Sequence, residues 1–155
     1  MSTLERAIAI SAEAHAGQVD KNGEPYILHP LRVMLAMESD VGRIVGVLHD
    51  VSEDCPGWPP SRLAREGFST DVLAALEDLA RPKLSPVPSY SVYIDCLARF
   101  GTPVARAVKI ADLEDNLRYD RMKRLSIADC ERLQGRYRPA LKLLTAATEL
   151  RGARL

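Results

Sequence analysis

The chain contains three histidines, His15, His29 and His49, and two of them stand among residues able to bind a metal ion. His49 is followed directly by Asp50. Adjacent helical residues project roughly 100° apart, so both reach one ion only if it lies beside that edge of the helix. An imidazole nitrogen with a carboxylate is a good donor pair for Mn, Fe, Co or Zn. Glu53 and Asp54 follow at i+4 from His49 and Asp50 and stack a second acidic layer on the same face. The residues before them, Ile44-Val45-Gly46-Val47-Leu48, are apolar. Burying four polar groups at the end of such a helix is costly unless a dication neutralises the carboxylates. Further along, Val104, Ala107, Val108, Ile110 and Ala111 lead to Asp112, with Asp115 at i+3 and Asn116 at i+4. That spacing suits a ligand with an amide beside it. Arg118 and Arg121 follow and could attract phosphate. His29, directly before Pro30, reads either as a ligand or as a loop or capping histidine.

Helices must position these groups. Ser2 or Thr3 can cap a first helix that buries Leu4, Ala7, Ile8 and Ala12 and fails near Gly17. Residues 17–25 are rich in turn formers and form a loop. A second helix is expected from His29-Pro30, with proline at its first position. Asp40 can cap a third, running from Val41 to about Asp54. Cys55-Pro56-Gly57-Trp58-Pro59-Pro60 must break it. Short helices start near Pro60 or Ser61 and near Ser69 or Thr70, and residues 82–89 form a second Pro/Ser loop. Helices then run from about Ser89 to Phe100, from about Thr102 to Met122, and from near Ser126 onward. No stretch alternates with the period of a strand. The expectation is an all-α, compact multi-helix bundle, a single domain over residues 1–155, with one metal site.

Bulk composition narrows the function. The formal net charge is zero, from 21 basic and 21 acidic residues, which lacks the basic footprint of a nucleic-acid binder. No nucleic-acid partner is expected. Cys55, Cys96 and Cys130 are odd in number and widely spaced, so they predict reduced thiols and a cytoplasmic location, not a disulfide framework. No signal peptide is visible, and no apolar run approaches the roughly 18 residues of a membrane span, so no membrane is expected. The oligomeric state is not legible, because an apolar stripe on the last helix serves core and interface alike.

Four motifs carry a family resemblance: A-H-A-G-Q at 14–18, K-N-G-E-P-Y-I-L-H-P at 21–30, L-H-D-V-S-E-D at 48–54 and V-K-I-A-D-L-E-D-N-L-R at 108–118. In that order the chain resembles the HD-domain phosphohydrolases, and among them the hydrolase domain of RelA/SpoT alarmone enzymes and the small single-domain SpoT homologues. The resemblance implies an all-α fold and one divalent metal ion, usually Mn2+, on His29, His49, Asp50 and Asp112. It places Glu53 and Asp54 near the attacking water, Asn116 against ribose or phosphate, and Lys21 on the nucleotide. The implied reaction is removal of pyrophosphate from the 3′ position of ppGpp, a step of the stringent response. With such a centre, Glu53 is the candidate general base with Asp54 as partner or alternate, and Lys21, Lys109 and Arg118 are candidates for absorbing phosphate charge. The alternatives are a phosphatase acting on NADPH or nucleoside phosphates with the same metal, and a non-catalytic nucleotide-binding module.

The chain departs from the family at three places. The loop that usually reads Arg-Lys reads Asp20-Lys21, and an aspartate neither stacks on a base nor attracts phosphate. The position after Glu53-Asp54, usually threonine, is Cys55. A basic stretch expected before the Asp112 helix is Tyr90-Ser91-Val92-Tyr93-Ile94. Elsewhere, His15 reads as a structural hydrogen bonder, Trp58 as a loop anchor, and the basic residues of the last helix, Arg136 among them, as a solvated face.

Overall fold

A computed structural model describes residues 2–81 and 89–152, apart from the side chains of Ser52 and Asp54. The loop expected over 82–89 therefore falls largely outside the described residues. Ten helical segments follow in order: α1 (Leu4–Ala14), α2 (Leu28–Leu35), α3 (Asp40–Leu48), α4 (Val51–Asp54), α5 (Pro60–Arg65), α6 (Thr70–Leu79), α7 (Tyr90–Phe100), α8 (Pro103–Asn116), α9 (Tyr119–Met122) and α10 (Ile127–Gly152). No strand occurs among the described residues, and a lone bridge joins Val19 to Pro25. Among the described residues no helix is long and apolar enough to cross a membrane.

Polar residues start the helices as their types predict. Thr3, Ser69, Ser89 and Thr102 each accept a backbone N–H of the following turn. Ser126 does the same for Asp129. The third helix is capped by Ser39, whose Oγ accepts from Gly42 N, and not by Asp40. Asp40 is instead its first helical residue, where a carboxylate faces the positive end of the helix dipole. The second helix begins one residue earlier than expected, at Leu28.

The centre of the molecule is α3, which packs against α1, α2, α6 and α8, while α10 covers α7 and α8. Ile10, Val33, Val45, Val47, Leu48, Val72, Val108 and Leu113 are fully buried between them. Gly46 lets α2 and α3 cross closely, since a Cβ there would stand 3.1 Å from the Cα of Met34. That crossing brings the start of α2 to the end of α3.

Two expected continuous helices are broken, both at the site. The helix expected over 41–54 stops at Leu48 and resumes at Val51. At Asp50 the backbone has φ −95° and ψ −9°, away from helical values. The His49 ring takes the carbonyl of Gly46 at 2.8 Å, the acceptor that Asp50 N–H would use in an unbroken helix. The helix expected over 102–122 stops at Asn116. Arg118 is extended at φ −57° and ψ 140°, and α9 follows as a separate turn.

Candidate metal centre

Three segments meet under the mouth of one pocket: the first turn of α2 with His29, the α3–α4 junction with His49 and Asp50, and the second half of α8 with Asp112. His29, His49 and Asp112 are buried, and one donor atom from each lies within 4.8 Å of the others. His29 Nε2 stands 3.1 Å from Asp112 Oδ1 and 3.6 Å from Asp50 Oδ2. His49 Nε2 stands 3.0 Å from Asp50 Oδ2 and 3.8 Å from Asp112 Oδ1. His29, His49 and Asp112 therefore converge, and Asp50 Oδ2 stands beside both imidazoles.

The outer nitrogens settle the tautomers. His49 Nδ1 lies 2.8 Å from the Gly46 carbonyl, which can only accept, so the ring proton is on Nδ1. His29 Nδ1 lies 2.7 Å from Asp115 Oδ2, again an acceptor. Both rings thus aim an Nε2 lone pair at the carboxylates, and His49 Nε2 is buried with no hydrogen-bond partner. Lone pairs facing carboxylates in a buried site repel unless a positive charge lies between them. The donor set and its outer hydrogen bonds fit a divalent ion. Burial would lower the pKa of His49, but the charges of Asp50 and Asp112 outweigh it and raise it to about 10. Burial raises the carboxyl of Asp112, yet Lys109, His29 and His49 together hold it well below the usual carboxylate range.

Helical spacing supports Asp112 from both sides. Lys109 Nζ, three residues before, is 2.7 Å from Oδ2, and Asn116 Nδ2, four residues after, donates to Oδ1 at 2.6 Å. Lys109 therefore spends its charge on Asp112, although it also lines the pocket. Tyr26 donates its hydroxyl to Asp50 Oδ2 at 2.7 Å.

The pocket above has a volume of about 280 Å³, and His29, Asp50, Glu53, Asp112 and Asn116 line its floor. Lys21 stands at its rim with Asp20, Asn22 and Arg121. Asp20 accepts the backbone N–H of Asn22 and Glu24 and lies 3.8 Å from Arg121 Nη2, so its carboxylate closes the loop on itself. The opposite wall is Arg81, Tyr90, Arg136 and Tyr137, with the Arg136 guanidinium 4.0 Å from the Tyr90 ring centre.

Of the residues singled out from sequence, His29, Asp50, Glu53, Asp112, Asn116, Lys21 and Lys109 share this pocket, and His49 lies buried beside them. The Asp54 side chain is outside the described residues. Arg118 is elsewhere: it is half-exposed, pairs with Asp120 at 2.9 Å and does not line the pocket, because α8 ends at Asn116 and the extended Arg118 turns outward. Arg121, three residues on, faces the pocket instead. Sequence reasoning assigned no role to Tyr26 or Asp115, and their only local signals were spacings of three residues from His29 and from Asp112. It also left Arg136 on a solvated face. His15 is buried and within 2.8 Å of Gln18 Oε1, and Trp58 is buried under Arg62.

No family model matches the chain. It is 37% identical over 59 residues to a guanosine-3′,5′-bis(diphosphate) 3′-pyrophosphohydrolase of Vibrio cholerae, covering 36% of this chain and 8% of that one. It is 43% identical over 83 residues to the protein of the same name from Borreliella burgdorferi, covering 51% and 12%. A probable GTP pyrophosphokinase of Mycobacterium leprae is 28% identical over 127 residues, covering 76% and 16%. The chain thus spans between 8% and 16% of the length of these relatives. Among solved structures, a metazoan SpoT orthologue described as hydrolysing ppGpp matches with a TM-score of 0.65 and 18% identity, over 98% of this chain and 97% of that one. The chain therefore shares the fold of this SpoT orthologue, and parts of its sequence are similar to the named pyrophosphohydrolases.

Proposed function

We propose that the chain is a metal-dependent phosphohydrolase that removes pyrophosphate from the 3′ position of (p)ppGpp, with Mn2+ held by His29, His49, Asp50 and Asp112. The observation that carries this is the pair of buried imidazoles, each fixed through Nδ1 so that Nε2 points at the carboxylates of Asp50 and Asp112. The named relatives supply the substrate class. A divalent ion there would supply Lewis-acid stabilisation and acidify a bound water.

The side chains divide the remaining work. Glu53 on the pocket floor accepts the proton of the attacking water, with Asp54 as partner or alternate. Asn116 holds Asp112 through its amide nitrogen and faces the pocket, where it can bind ribose or phosphate. Lys21, Arg81, Arg121 and Arg136 offset the substrate's phosphate charge. Lys109 serves chiefly to hold Asp112, and Arg118 has no part in this reading. Cys55, Cys96 and Cys130 form no disulfide among the described residues, which fits a reducing cytoplasm, and the residues described fit one domain acting in alarmone breakdown.

The test is product release by the Mn2+-loaded protein from ppGpp, NADPH and nucleoside mono- and triphosphates, beside Asp50→Ala and Glu53→Ala. Pyrophosphate from ppGpp, reduced at least about 100-fold in both variants, is the expected result. Activity confined to another nucleotide would keep the metal centre and replace the substrate. No turnover of any nucleotide by metal-loaded protein would leave a binding module.

A further inference from the structure

Beneath the proposed ligands lies a third carboxylate. Asp115 is buried, one turn from Asp112, and touches none of the other three ligands. Three side chains from two helices hold it by hydrogen bonds. His29 Nδ1 is 2.7 Å from Oδ2. Arg32, one turn along α2 from His29, places Nε 2.5 Å from Oδ1 and Nη2 3.1 Å from Oδ2. Arg121, from α9, places Nη1 2.5 Å from Oδ2. Arg121 Nη1 also comes to 2.8 Å of His29 Nδ1, but an ionised carboxylate only accepts, so Oδ2 takes both the Nδ1–H and the Arg121 N–H.

We propose that Asp115, clamped by Arg32 and Arg121, is a positioning residue that fixes the orientation and tautomer of His29 and thereby sets metal affinity. The inference rests on the metal centre proposed above. A freely rotating His29 could turn its ring or move its proton to Nε2, and either change removes the lone pair from the site. Both arginines hold the carboxylate, one of them through both oxygens, so Asp115 cannot follow the ring. Arg121 also lies beside Asp20, and its carbonyl accepts from Asn22. The substrate loop over 20–24 is therefore anchored to the carboxylate that orients a metal ligand.

Two substitutions separate this role from packing alone. Asp115→Asn keeps the shape, but its amide can present N–H to His29 and reverse the tautomer. Arg32→Gln touches neither a ligand nor the pocket wall and acts through Asp115 alone. Metal-free protein is titrated with MnCl2, free Mn2+ is read by electron paramagnetic resonance, and folding is checked by far-UV circular dichroism. Outer partners of metal-bound histidines commonly contribute about 10- to 100-fold in affinity. Asp115→Asn is expected to weaken binding by that amount, and Arg32→Gln by about three- to tenfold, both folded. Folded Asp115→Asn binding within about twofold of wild type would overturn the proposal. If Asp115→Asn does not fold, the same result for Arg32→Gln would overturn it. Wild-type protein that binds no Mn2+, Zn2+ or Fe2+ would remove the metal centre itself, and the positioning role with it.

Discussion

At the scale of single residues, each proposed ligand is held from behind. Asp115 does this for His29, the Gly46 carbonyl for His49, Lys109 and Asn116 for Asp112, and Tyr26 for Asp50. The Tyr26 bond is an O–H to a charged acceptor, and such bonds contribute about 1.5–3 kcal/mol. Asp50 is the most exposed of the four ligands, its side chain 19% accessible against 3–6% for the others. Water can therefore replace part of what Tyr26 supplies. Tyr26→Phe is expected to weaken Mn2+ binding by about three- to tenfold and to leave folding intact, as measured by metal titration and thermal melting. Unchanged affinity would mean that Asp50 holds its orientation without the phenol, or that it is not a ligand.

At the scale of elements, the α2–α3 crossing decides whether His29 and His49 meet. Gly→Ala inside a helix normally stabilises by up to about 1 kcal/mol. At Gly46 the new Cβ would meet backbone of α2, 3.1 Å from Met34 Cα and 3.2 Å from Met34 N, and backbone cannot swing aside. Gly46→Ala should therefore destabilise by about 1–3 kcal/mol and displace the helix that carries His29, lowering both the melting temperature and metal affinity. Gly135→Ala in α10 is the control, because nothing lies within 4 Å of its Cβ and it should be neutral or stabilising. A stabilised Gly46→Ala would show that α2 can yield without cost. The same scale explains what was legible in the sequence. Helix starts follow from Thr3, Ser69, Ser89, Thr102 and Ser126, and the Lys109, Asp112, Asn116 cluster from i+3 and i+4 spacing, all local relations. The break at His49-Asp50 was hidden because it depends on a ring competing with the backbone for one carbonyl. Arg118 was chosen over Arg121 because where α8 ends decides which of them faces the pocket. The Asp115–His29 and Arg136–Tyr90 contacts join residues far apart in the chain, and nothing in the spacing of either partner announces them.

At the scale of the whole molecule, a neutral chain places its charge unevenly. Lys21, Arg81, Lys109, Arg121 and Arg136 line the pocket, against Asp20, Asp50, Glu53 and Asp112. A bound dication would tip that near balance firmly positive. Asp20 is tied into the loop, and Arg81 and Arg136 line the pocket without bonding to the acids of the proposed metal centre. A concave, positive pocket in a molecule with no net charge should attract polyanionic substrate by its local field, without the non-specific binding that a basic protein shows. Salt screens that field over about 10 Å at 0.1 M. For the metal-loaded protein, kcat/KM for ppGpp should therefore fall by about three- to tenfold between 50 and 300 mM KCl, with kcat nearly constant. Arg136→Gln should flatten this dependence, because it removes a pocket cation that is not needed to hold a metal ligand. Steady-state kinetics across a salt series, with the metal kept saturating, makes the measurement. A kcat/KM independent of salt in the wild type would mean that capture relies on contacts made after entry. The Arg81 and Arg136 wall would then have to act, if at all, through stacking on Tyr90 and Tyr137 and not through its charge.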